Sequence, residues 1–74
     1  MKWKSIADPE EIDVNGTTGD RFIYEAPSQG KEMTKEVVTF RRGKRVYSFV
    51  GLFFSSDDKA REQLRRAIGS ILWR

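Results

Sequence analysis

The chain reads as an α+β domain: a four-stranded, mainly antiparallel sheet followed by one C-terminal helix packed across it. Two stretches predict that class. In residues 37–56, VVTFRRGKRVYSFVGLFFSS, two β-branched and aromatic runs flank a short basic loop containing Gly43, which is the pattern of a β-hairpin. From Asp57 to Trp73 the apolar residues Ala60, Leu64, Ala67, Ile68, Ile71 and Leu72 recur at the spacing of one helical face, which must cover the sheet.

Residues 1–10 contain no assignable element, and Pro9 with Glu10 and Glu11 suggests a turn before the apolar pair Ile12 and Val14. A first short strand fits residues 11–14. Asn15-Gly16 is a strong turn signal and Gly19-Asp20 a second, after which alternation and β-propensity predict a strand over residues 20–26, closed by Pro27 to Gly30. The third strand spans 33–41, polar at its start and ending in VVTF, and the fourth, 44–54, is the longest and most apolar. A helix follows over 57–72. Ser55 or Ser56 can cap it, Asp57 and Asp58 suit its first turn, and Glu62 precedes Arg66 by one helical turn. Gly69, an unfavourable residue in a helix interior, marks a place where the helix packs closely on a strand.

Strand 44–54 is apolar on both faces. Tyr47, Phe49 and Phe53 alternate with Val46, Val50, Leu52 and Phe54, and one helix covers one face only. Either the N-terminal segment with Trp3 lies across the back of the sheet, or one set stays open as an interface for a partner. Tyr47, Phe49 and Phe53 are the candidate apolar interface and Val46, Val50 and Leu52 the alternative set; exposure of either predicts weak self-association or binding of a hydrophobic dye.

Seventy-four residues allow one domain with a thin core, since about 60% of the unfolded surface is buried at that size. The chain has no Cys and no His, so disulfides, thiolate zinc sites, Ser-His-Asp, Cys-His and HExxH chemistry are excluded within it. An enzyme is not expected, and no metal, cofactor or catalytic residue is assigned. Neither a signal peptide nor a run of about 18 apolar residues is found, so the chain reads as soluble.

Charge divides the chain. Residues 1–36 carry five basic and eight acidic side chains, residues 37–74 nine basic and three acidic. Arg41, Arg42, Lys44 and Arg45 at the hairpin, joined by Arg65 and Arg66 on the helix, form a candidate patch for an anion or a partner. Residues 45–52, RVYSFVGL, follow part of the ribonucleoprotein consensus, with a basic first residue, aromatics third and fifth, and Val sixth. The second, fourth and last positions depart from it, so a small basic nucleic-acid-binding domain using the hairpin and strand aromatics is the alternative function. Asn15-Gly16-Thr17 is a formal glycosylation sequon explained by its turn, no glycine-rich phosphate loop occurs, and Glu10, Glu11 and Asp13 fall on alternating faces of a strand.

Several blocks together resemble a known family. Val14-Asn15-Gly16 with Gly19, then VVTF, Gly43, Arg45-Val46-Tyr47-Ser48-Phe49-Val50-Gly51 and Ala67-Ile68-Gly69-Ser70-Ile71 look like the small C-terminal module of secreted bacterial zinc metallopeptidases related to the CAAX prenyl endopeptidases. A looser likeness is to PsbP-type sheet domains. The resemblance, over residues 11–72, implies a non-catalytic accessory module that docks to a protein partner or an attached peptidase domain, in the periplasm or outside the cell. The family's zinc ligands and catalytic Glu lie in a domain this sequence does not contain, so none is carried over.

Overall fold

The computed structural model of the chain describes residues 2–73. Its elements are β1 (Lys4–Ser5), β2 (Glu10–Val14), β3 (Thr17–Ser28), β4 (Lys31–Arg42), β5 (Arg45–Phe54) and α1 (Asp58–Gly69). The class is the expected α+β, with every strand pairing antiparallel. β2 to β5 form a meander, and β1 lies in line with β2 along the same edge of β3, Lys4 opposite Glu25 and Glu10 opposite Arg21. The sheet therefore has five strands rather than four. The added one is only two residues long, too short to leave a period in the sequence.

Turn chemistry fixes the register. Asn15 (φ +48°) with Gly16 (+87°), and Gln29 (+51°) with Gly30 (+78°), place two successive residues in the left-handed region, as type I′ hairpins require. Gly43 (φ +61°) is the first of two loop residues between the paired Arg42 and Arg45, the glycine position of a type II′ turn. Gly19-Asp20, expected as a turn, instead lies inside β3. A Cβ on Gly19 would stand 2.6 Å from Cδ1 of Phe40, so this glycine is the seat of an aromatic ring. Pro27 also lies within β3, where β4 is the one strand paired with it among the described residues, so its missing N–H falls on the unpaired edge.

Asp57, not a serine, caps the helix: its Oδ1 accepts the Ala60 N–H at 3.0 Å. The helix stops at Gly69, three residues before the expected end, because Ser70 turns back and its hydroxyl donates to the Ala67 carbonyl at 2.9 Å. Gly69 has open space where a Cβ would be. The close approach is at Gly51, whose absent side chain leaves room for the Leu64 methyls.

Register assigns the faces. Thr34, Glu36, Val38 and Phe40 of β4 stand beside Phe53, Gly51, Phe49 and Tyr47 of β5 on the helix side of the sheet. Val14, Val38, Phe40 and Ile68 are buried at its centre, with Ile12, Tyr47, Phe49, Leu64, Ile71 and Trp73 packed around them. Trp73 closes that core. Its ring is 5.0 Å from Phe40 and 5.6 Å from Tyr47, and its Nε1 donates to the Val14 carbonyl at 2.7 Å, while Asn15 Nδ2 donates to the Ile71 carbonyl. The tail beyond the helix is thus tied to the first hairpin turn.

Candidate functional site

With the helix on one side, the opposite side of β5 is left open. Val46, Val50, Leu52 and Phe54 are 61%, 58%, 60% and 45% exposed although they occupy alternate positions of one strand. Half-buried Val37 and Met33 of β4 extend the patch inward, since Val37 pairs with Val50 and Met33 with Phe54. These residues form an apolar surface on both sides of Ser48, four exposed side chains on alternate positions of one strand rather than scattered singly. At the β3 side the face is partly covered: Lys35 lies 4.8 Å from the Trp3 ring and 5.0 Å from Tyr24. Trp3 does lie across the back, but over β3 and β4 rather than β5. Lys31 caps Phe54 at 5.2 Å from its ring centre, so lysine stems border the patch and leave its middle apolar.

The expected interface trio does not belong to this open face. Phe53 is buried, and Tyr47 and Phe49 are half-buried beneath the helix and tail, with Phe49 edge-on to Phe40 at 6.1 Å and Arg61 5.3 Å from the Phe53 ring. Both alternating sets of β5 are apolar, so the strand itself does not distinguish them. Gly51 does: it belongs to the set with Tyr47, Phe49 and Phe53, and it provides the gap into which Leu64 fits.

The six candidate cations are not gathered into one patch. Arg41, Arg42 and Arg45 line a shallow, open cleft with Gly16, Thr17 and Tyr47 at the hairpin end of the sheet, and Lys44 sits in the adjoining turn. Arg42 also lies 5.1 Å from the centre of the Trp73 ring. Arg65 is elsewhere, donating at 3.0 Å to Glu36, which pairs with Gly51 midway along the strands. Arg66 pairs with Glu62 at 2.8 Å, one turn back on the helix. The helix cations are engaged in ion pairs and the hairpin cations stand apart from them.

Glu36 is the functional-looking residue that the pattern of the sequence conceals. Its side chain is 1% exposed between Arg65 and Arg21, whose Nε is 4.0 Å from Oε2, and Arg21 in turn approaches Glu10 at 3.6 Å. Oε2 of Glu36 and Nε of Arg21 lack hydrogen-bond partners among the described residues, and they face each other. The arrangement holds β3, β4 and the helix together through charge. Nearby, Ser55 links the strands through Thr34 (2.7 Å) and Glu25 (3.0 Å). Period-two alternation from Val38 and Phe40 back to Glu36 was the one available signal that this carboxylate points inward.

Among the described residues no group of three or more acidic side chains is placed to hold a metal ion, and no helix is long and apolar enough to cross a membrane. Comparisons of the chain with family models, with curated proteins and with solved structures found no match.

Proposed function

We propose that this chain is a non-catalytic docking module whose open sheet face receives an apolar surface of a protein partner. The observation that carries the reading is the contiguous exposure of Val46, Val50, Leu52 and Phe54 on a face the helix does not reach. Covering such surface is worth several kcal/mol at about 25 cal/mol per Å², before the costs of association. The lysine-bordered rim and apolar middle also match the anatomy of protein interfaces. The resemblance to the peptidase C-terminal module supports the same reading and supplies one partner class, an attached or separate catalytic domain.

The test is site-specific photocrosslinking in the producing cell. A benzophenone side chain at position 50 should give one discrete adduct to a protein other than a second copy of this chain, abolished by Leu52→Lys, whereas the same group at position 62 on the outer helix surface should give none. Equal adducts from both positions, or none from position 50, would remove the proposal.

A second reading has its own observation, the cleft where Arg41, Arg42 and Arg45 converge beside Tyr47. If it binds nucleic acid, affinity for single-stranded RNA should fall with salt at a slope of roughly 0.7 per phosphate neutralised, and Arg41→Ala and Arg45→Ala should each reduce that slope. The packing of Tyr47 and Phe49 against the core leaves less of their rings for stacked bases, which favours the docking module.

A further inference from the structure

The free edge of β5 is a second surface, distinct from the open face, and we infer that it pairs antiparallel with the same edge of a second copy of this chain. Among the described residues β5 is hydrogen-bonded to β4 alone and ends the sheet. Because Arg42 and Arg45 flank a two-residue loop, the residues of β5 that exchange hydrogen bonds with β4 are Arg45, Tyr47, Phe49, Gly51 and Phe53. The N–H and C=O groups of Val46, Ser48, Val50 and Leu52 therefore point outward along the edge. From Val46 to Phe54 this edge contains no Pro and no charged residue, the devices that ordinarily block edge pairing.

The helix is adapted to the same edge. Leu64, Ala67 and Ile71 line a shallow groove with Ser48 and Val50 on this flank, and the charged residues Arg61 and Arg65 project to the other side, toward Phe53 and Glu36. Exposed Ala67 leaves room for a second helix at close range. Charge sets the direction. One end of β5 adjoins Arg41, Arg42, Lys44 and Arg45, and the other runs into Asp57 and Asp58, followed by Lys59 and by Arg61, which pairs with Asp58 at 2.7 Å. Antiparallel pairing keeps the two basic hairpins at opposite ends of the seam, each beside the charge-balanced helix start of the other copy, whereas parallel pairing would place two basic hairpins side by side. The dyad falls at Val50, the middle of the outward positions from Val46 to Phe54. Val50 then faces its own counterpart, and Ser48 faces Leu52 of the second copy. The result is one continuous sheet with both helices on one side.

The absence of cysteine makes the register directly testable. Val50→Cys and Val46→Cys introduce a single thiol at equally exposed sites of the same strand. Under mild oxidation at about 100 µM the first should give mainly disulfide-linked dimer and the second essentially none, because eight strand residues, roughly 26 Å, separate the two thiols. The unmodified chain should show a concentration-dependent mass rising toward twice the monomer by light scattering. Ser48→Pro, which removes only an outward N–H, should return it to monomer with an unchanged circular dichroism spectrum and unchanged binding of a hydrophobic dye. Equal crosslinking of the two cysteine variants, a monomer at every concentration, or a Ser48→Pro dimer would overturn the inference. Loss of dye binding with the dimer intact would count against the open face instead, so the two proposals fail separately.

Discussion

The two faces of the sheet are made from similar side chains and behave oppositely. On the helix side, Val38 and Phe40 are fully buried, and Tyr47, Phe49 and Phe53 are shielded by α1 and Trp73. On the other side, Val46, Val50 and Leu52, their immediate neighbours in sequence, are more than half exposed. Hydrophobicity does not separate the two sets, and cover does. The helix can approach only where the sheet offers a recess, and both glycines within strands, Gly19 under Phe40 and Gly51 under Leu64, lie on the helix side. The strand glycines therefore mark the face that the helix covers, and the side of β5 without one is left for something else.

Substitutions in adjacent residues should sharpen that contrast. The largest loss is expected from Phe40→Ala, which removes a fully buried ring contacting Phe49 and Trp73. It should cost about 3–5 kcal/mol in urea denaturation, enough to unfold a domain this small. Glu36→Ala should cost about 3 kcal/mol, because Arg21, only 14% exposed, loses its buried carboxylate and is left with the exposed Glu10. A cost near zero would mean that the buried ion pairs contribute nothing net.

Leu64→Ala should cost about 2 kcal/mol, at the low end for leucine because the side chain is only partly buried. Gly51→Ala should be destabilising by about 1–2 kcal/mol through crowding of the same leucine, and combining the two should cost less than their sum. Strict additivity would show that Leu64 is not seated on Gly51. The smallest effect belongs to the open face. Leu52→Lys should change stability by less than about 0.5 kcal/mol, whereas Phe53→Lys, one residue along, should cost several.

Much of the architecture was legible in the sequence because it rests on local chemistry. Asn15-Gly16 specifies a tight hairpin turn, Gly43 marks the basic one, and Leu64 and Ile68 belong to a helical stripe that does face the sheet. Gly19 was misread for a physical reason. A glycine beside an aspartate is turn chemistry locally, and only the cross-strand position of Phe40, far along the chain, converts it into a packing site. The open face was legible as a surplus, since strand 44–54 has more apolar surface than one helix covers, but its side was not. That choice depends on how Leu64 meets Gly51, a contact between elements rather than a property of either. Glu36 was hidden among the charged residues of a polar half-strand, and its burial follows from register with Val38 and Phe40 together with Arg65 reaching over from the helix.

The central claim, that the apolar face of β5 opposite the helix is the surface offered to a partner, is tested most directly by methyl NMR during titration with a hydrophobic dye. The methyl groups of Val37, Val46, Val50 and Leu52 should shift progressively and together, with those of Val14, Val38 and Ile68 unmoved at the same dye concentrations. Shifts of equal size in both sets, or shifts confined to the Val38 and Ile68 side, would contradict it.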